Sequence, residues 1–443
     1  MGSLIWGMLG PDSGGGDRRT RTLGLGAAVR AFNERAVPGM GGVWFAKQLV
    51  LSLIGVAVAE RVASAGQSVS NIQAANAVEA LACFMGLRSI GWSSDPRLLG
   101  ALKLANKTDF SFAKVSRAGF YVSQPMRMAT VQALPALGLV STASSRFNGY
   151  SLSARGLALV ERCAGMRCHY ASTALDLLTN WALGGDYALA DNRSLGKVLS
   201  PLDPLEPEAV AILRDALLQG GQHESTDDKA RRRAALQWVE ALRRQTRVQL
   251  DWGACPPELG AEHWHDLQCG AALFALRDAA NALLEGLEHG IGRSGGKHAD
   301  LTRLEAYSLE AEVGILRACA QHFLELGSEV DEANRFARLC VQDDLSQVLV
   351  DLVSRDGRIL RWTGGDEIRP GSAYLGILPW LDDRSMDREA ELQEAQADDA
   401  TAPGIAWPDG VSERIPNLFL FNADLRGDLP RWLLQTRAPG EQE

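Results

Sequence analysis

Cysteine thiolates and imidazoles are the ligands zinc prefers, and Cys255, His263, His265 and Cys269 fall within fifteen residues of this 443-residue chain. Their spacing, C-x7-H-x-H-x3-C, matches no common structural zinc site. A helical metal pair sits at i and i+4, whereas His263 and His265 would leave a helix on different sides. Cys269 opens a very apolar stretch and reads as a core thiol; Cys163 with Cys168-His169 is a weaker version of the same pattern. No metal is expected. GIGRSG, from Gly290 to Gly295, matches G-x-G-x-x-G, but a long helical pattern precedes it where a dinucleotide site needs a strand. In GRSGGKHAD, His298 stands where a phosphate loop needs Ser or Thr for magnesium, and Ile291 holds the leading glycine position. Neither G-x-S-x-G nor H-E-x-x-H occurs. The reading is therefore of a non-enzymatic chain, with no catalytic residue and no cofactor.

Composition is consistent with large buried cores: 46% of residues are hydrophobic and 22% charged. The seven cysteines are odd in number and irregularly spaced, which predicts reduced thiols in a cytoplasmic protein. Arginine outnumbers lysine 38 to 7, a bias that points to a GC-rich bacterial genome. The apolar run Leu49–Ala59 is bracketed by Lys47 and Glu60 and is too short for a bilayer, which needs about 20 residues. It predicts a buried core helix and no membrane association.

The periodicity predicts a mainly α protein: an N-terminal helical region carrying a winged helix-turn-helix, then a larger all-helical region with a minor β hairpin. Residues 1–22, with Gly14–Gly16 ahead of Arg18, Arg19 and Arg21, read as a flexible arm. Residues 23–165 form the first domain, with Asn71 capping a helix through Ala75, Val78 and Leu81. Residues 166–380 form a helical partner-binding domain with helices over Ser172–Leu183, Glu206–Leu218, Lys229–Leu250, Glu258–Glu288, Leu301–Leu326 and Glu332–Val353. A strand pair is expected at Ile359–Trp362 and Tyr374–Leu378. Residues 381–410 are an acidic linker, whose first twenty residues hold eight acids and two arginines. Residues 411–443 are an apolar segment in which Phe419, Phe421 and Trp432 must be buried, either by packing back or by docking on a partner or second copy.

Between Phe110 and Cys163, Ser123 is placed as an N-cap and Pro125 in a first turn. Met128, Val131 and Leu134 share one helix face, and Pro135 with Gly138 ends that helix. Leu139-Val140 and Tyr150-Ser151-Leu152 make a hairpin, and Ser153 caps a last helix. The order helix, helix, "LGLV", hairpin, "YSLSARGLALVE" resembles the winged-helix fold of MarR-type bacterial regulators, over about residues 101–163. That resemblance implies a second helix lying in the DNA major groove and a hairpin acting as the wing.

Charge agrees with such a face. From Arg97 to Arg162 there are nine bases and two acids, a net of +7 in a chain of −9, and a local positive field is what phosphate binding requires. Lys114, Arg117, Gln124, Arg127, Thr130 and Arg146 are the expected DNA-contacting residues, with Arg127 and Thr130 on the exposed side of the second helix and Arg146 at the wing. A second basic stretch, Lys229–Arg247, holds seven bases and one acid and reads as the solvated face of a packed helix. The functional expectation is a DNA-binding subunit of a multi-protein bacterial DNA-transacting assembly, such as genome defence. The alternatives are a scaffold whose winged helix binds only protein, and an enzyme with an unrecognised site.

Overall fold

A computed structural model describes residues 21–142, 144, 146–169, 172–185, 189–245, 248–293, 297–374 and 405–434. The protein is mainly helical. It divides into two compact units: the described residues of Ala31–Ala271 with those of Arg384–Glu443, and the described residues of Met1–Arg30 with those of Ala272–Asp383. The boundary expected at residue 165 falls inside the larger unit, which also takes in the C-terminal helices.

α1 (Gly26–Ala36) is followed by α2 (Ala46–Ser64) and α3 (Asn71–Ser89). α2 contains the apolar run and is apolar on every side, which is the pattern of a helix buried all round; each residue from Ala46 to Ala59 is buried. Even Lys47 is inside, its Nζ donating to the Val198 carbonyl at 2.6 Å. α2 and α3 touch at Gly55, where a Cβ would stand 2.5 Å from the Ala75 Cα. Only glycine permits that approach. The cap of α3 is Ser70, whose hydroxyl accepts from the Gln73 N–H, and not Asn71, which is buried and serves the hairpin described below.

Four short helices follow: α4 (Ala101–Leu104), α5 (Phe112–Val115), α6 (Arg127–Thr130) and α7 (Ala133–Ala136). The antiparallel hairpin of β1 (Val140–Thr142) and β2 (Tyr150–Leu152) comes next, in the register Ser141 to Ser151. α8 (Ala154–Ala164) is capped by Ser153, as its sequence indicates. Beyond the small pair β3 (Arg167–His169) and β4 (Ser172–Thr173), the unit continues through α9 (Ala174–Ala182), α10 (Arg193–Leu199), α11 (Pro207–Gln219), α12 (Thr226–Arg243), β5 (Val248–Gln249) and the start of α13 (Ala261–Arg293).

The smaller unit holds β6 (Ala299–Asp300), α14 (Glu310–Leu326), α15 (Asp331–Cys340), α16 (Leu345–Asp356), β7 (Leu360–Trp362) and β8 (Glu367–Pro370). The strand opposite β7 is β8, and not Tyr374–Leu378; Tyr374 is outside any strand and Leu375–Leu378 lie outside the described residues. Gly364 and Gly365, at φ +96° and +67°, turn the chain tightly enough to pair Trp362 with Ile368. The helix expected over Leu301–Leu326 is interrupted at Ser308 (φ +53°), and that over Glu332–Val353 breaks where Asp344 caps α16.

The chain then re-enters the larger unit as β9 (Ile405–Ala406), α17 (Arg414–Leu425) and α18 (Leu429–Leu434), with β9 pairing parallel to β5. Phe419 and Phe421 are fully buried and Trp432 is 1% exposed. They lie in this chain's own core. Polar bonds fix α17 as well: Asp424 Oδ2 accepts from the Ala46 N–H at 2.8 Å, and Asn422 donates to Glu240 at 2.7 Å. Among the described residues no helix is long and apolar enough to cross a membrane.

Candidate nucleic-acid interface

Pro135 lacks an N–H, so it cannot satisfy the Val131 carbonyl four residues earlier. The Tyr150 hydroxyl of β2 donates to that carbonyl instead, at 2.7 Å. The single helix expected from Ser123 to Gly138 accordingly forms as α6 and α7, and the break is what docks the hairpin. Three further bonds hold the hairpin in place. Buried Asn71 donates to the carbonyls of Phe147 (3.0 Å) and Tyr150 (2.8 Å), and Glu60 accepts from the Leu152 N–H at 2.8 Å.

An open groove of about 910 Å³ lies between α6 and the hairpin. Arg127, Gln132, Ser144, Arg146 and Asn148 supply its polar lining and Val131 and Phe147 part of its apolar lining; no carboxylate lines it. Arg146 is exposed and makes no ion pair among the described residues. Arg127 is half-buried: its Nε donates to Asn76 Oδ1 at 2.8 Å, and its guanidinium sits 5.8 Å from the Phe147 ring centre.

The expected recognition surface is turned. Thr130 is not exposed but fully buried, its hydroxyl 3.0 Å from the Ser52 hydroxyl of α2. Met128, predicted to share one helix face with Val131 and Leu134, is 53% exposed, whereas Leu134 is fully buried. The cause is a loop that covers this side of α6. Gly42 donates to the Ala129 carbonyl, and a Cβ on Gly41 would stand 2.6 Å from that oxygen. Gln124 is exposed ahead of α6.

A second depression, about 430 Å³, is lined by Lys107, Lys114, Arg117, Asp109 and Phe120 among others. Lys114 is paired with Asp109 at 2.5 Å. Arg117 is exposed and donates only to the Ala113 carbonyl within its own helical turn; Lys107 lies over the Phe120 ring at 5.3 Å. The +7 window is thus partly neutralised by partners outside it: Arg155 binds Asp215, sixty residues on, and Arg97 binds Asp95, two residues before it. Lys103, Lys107, Arg117, Arg146 and Arg162 remain exposed without an ion pair among the described residues.

The cysteine–histidine stretch does not assemble. His263 Nε2 lies 2.9 Å from the Ala36 carbonyl, whereas Cys269 Sγ faces His265 at 3.7 Å. Among the described residues no three His, Cys, Asp or Glu side chains form a group that could hold a metal. Gly290 to Arg293 belong to α13, so the GIGRSG segment starts inside a helix.

Sequence reasoning missed the buried carboxyl behind this face. Glu79 of α3 is fully buried; its Oε2 accepts from the Tyr121 hydroxyl at 2.7 Å, and its Oε1 has no partner. Desolvation raises its pKa from 4.5 to about 7, against the opposing pull of Tyr121 and Arg127. Below pH 4.5 the group is protonated in both folded and unfolded chains. From there to about pH 7 only the unfolded chain ionises, so folding stability falls as pH rises through that window. Glu79→Gln is expected to remove this slope and to stabilise the protein by about 3 kcal/mol at pH 8 relative to wild type. Urea titrations at pH 4.5 and pH 8 check it; an equal pH dependence in the two proteins would refute the assignment.

No protein-family model, no curated protein and no solved structure matches the chain. The functional reading therefore rests on the geometry above.

Proposed function

We propose that the chain is a non-catalytic DNA-binding protein whose residues 101–163 work as a winged-helix-like module, within a multi-protein assembly of a bacterial cytoplasm that acts on DNA, as in genome defence. The observation that carries this reading is the carboxylate-free groove between α6 and the hairpin, with exposed Arg146 at its edge. Lys107 and Arg117 supply a second set of exposed cations. The mode of contact differs from the one the winged-helix resemblance implies. With Thr130 buried and the Gly39–Gly42 loop across α6, a recognition helix cannot be inserted deeply. The exposed cations suit the phosphate backbone, which positions a protein on duplex DNA without specifying sequence.

The test is retention of a labelled duplex as salt is raised. Wild-type affinity is expected to fall steeply with salt. The triple variant Lys107→Glu, Arg117→Glu, Arg146→Glu is expected to lower affinity about hundredfold at about 50 mM salt and to reduce the log–log salt slope by about 3. These are surface positions, so the melting temperature should hold. Absence of duplex binding by wild type, or unchanged binding by the variant, would reject the reading in favour of a protein-binding scaffold.

A further inference from the structure

Trp92 is held in a backbone conformation that its side chain opposes. α3 ends at Ser89, and Gly91 and Trp92 follow with φ of +62° and +63°. Glycine enters that region freely, whereas a bulky L residue does so at a cost. The Trp92 N–H closes on the Leu87 carbonyl at 2.8 Å, a bond that any residue but proline would make here. The fold therefore needs the turn and not the indole. Nor is the indole used as core: Trp92 is 37% exposed, against 2% for Trp238 and 1% for Trp432. A strained residue kept without deep burial points to a side chain retained for contact.

Its surroundings define that contact. The Trp92 and Phe84 rings meet in a T shape with centres 5.9 Å apart, Phe84 packs on Phe110 at 4.0 Å, and Phe110 meets Phe120 at 6.0 Å. Phe110 and Phe120 are half-buried, and the Trp181 indole N–H fixes the Phe110 carbonyl at 2.9 Å. The row of rings ends at Lys107, which lies over Phe120 at the edge of the 430 Å³ depression. Lys103, Lys107 and Arg117 are exposed without an ion pair among the described residues. The carboxylates of this face are already engaged: Asp109 by Lys114, Asp191 by Arg88 and Asp95 by Arg97. From Arg88 to Phe120 there are six bases and two acids.

Rings set among free cations select a ligand that carries both flat faces and repeated negative charge. Duplex DNA supplies the charge but keeps its base faces stacked inside, so Trp92 would have nothing to meet. A lipid surface calls for a longer amphipathic helix than α4 and α5, which are four residues each. A single strand presents both features, with bases free to stack and phosphates free to pair. We propose that this face binds single-stranded nucleic acid, with a base stacking on Trp92 and the strand's phosphates meeting Lys107 and Arg117. Those two cations serve the duplex reading as well. Arg146 and the groove beside the hairpin play no part here, so the two readings stand or fall separately.

The experiment uses the full chain and labelled oligothymidine and oligouridine of about 15 nucleotides, neither of which pairs with itself, beside the labelled duplex. Wild type is expected to bind one or both strands in fluorescence polarisation, oligothymidine marking DNA and oligouridine RNA. Trp92→Gly removes the stacking ring and relieves the backbone. It is expected to weaken strand binding about tenfold, with the log–log salt slope and duplex retention unchanged and the melting temperature held. Lys107→Ala, an exposed position, is expected to lower the salt slope for the strand by about 0.7. Absence of strand binding by wild type would overturn the inference, and duplex retention in the same assay would leave the duplex reading standing. Strand binding without duplex binding would do the reverse. Strand binding that Trp92→Gly leaves unchanged would overturn it. So would a melting temperature that this variant lowers by several degrees, since the indole would then be kept for packing. Retention on phosphatidylserine vesicles without strand binding would assign the face to a membrane and overturn it as well.

Discussion

Arg232→Ala is expected to destabilise the larger unit by about 3–5 kcal/mol, whereas Arg233→Ala, one residue on, should cost well under about 1 kcal/mol. Both arginines belong to the basic stretch on α12 that reads as a solvated face. Arg232 is fully buried. Its guanidinium is paired with Glu224, whose side chain is only 6% exposed, and also donates to the carbonyls of Leu217 (3.1 Å) and Pro38 (3.2 Å). Truncating it leaves a carboxylate and two carbonyls buried without donors. Arg233, by contrast, is exposed and makes one bond, to the Leu218 carbonyl. Urea unfolding followed by tryptophan fluorescence reads the difference, because Trp238 is buried further along the same helix. Removing both charges together, as Arg232→Met with Glu224→Leu, should recover much of the loss, since a buried pair is worth little more than the apolar groups that could replace it. Equal costs at Arg232 and Arg233 would show the buried pair to be energetically idle.

The contrast between those neighbours shows what the sequence could and could not reveal. Periodicity and caps are local, so α2, α8 and the hairpin were readable from Leu49–Ala59, Ser153 and Tyr150-Ser151-Leu152. The glycine-rich turn at Gly364-Gly365 is equally local, and it pairs β7 with the nearer β8 in place of the strand expected at Tyr374–Leu378. Charge pairing is not local: Arg155 with Asp215 and Arg243 with Asp428 join residues with no common pattern. The candidate interface turned on such distant contacts. The sequence from Ser123 to Gly138 predicts a recognition helix, yet Ser52 and the glycine loop at 39–42 turn Thr130 away from solvent. Asn71 looked like a cap because Asn favours caps; its carboxamide instead holds a hairpin more than seventy residues away, which no local rule signals.

Deleting residues 411–443 is expected to abolish folding of the larger unit. The sequence allows the apolar segment to pack back or to dock on a partner, and α17 is buried within the larger unit. Every residue from Arg414 to Ala423 is buried. Phe419 meets Trp407 on one side and Trp432 on the other, with ring centres 6.0 and 4.8 Å apart. Arg414 binds Glu34, the Val37 carbonyl and Gln132, and Arg243 binds Asp428. Removal would expose the apolar faces of α2 and α12 that α17 covers and take away Arg414 from Glu34 and Asn422 from Glu240, a loss on the scale of the roughly 5–15 kcal/mol of an ordinary domain's stability. The truncated chain should therefore collect in the insoluble fraction. Phe419→Ala isolates the packing contribution and should cost about 3–5 kcal/mol with the chain still soluble at low temperature. A truncated protein that stays soluble, with its near-ultraviolet circular dichroism intact, would mean that the core closes without this helix. The segment's apolar residues would then have to be explained by a partner after all.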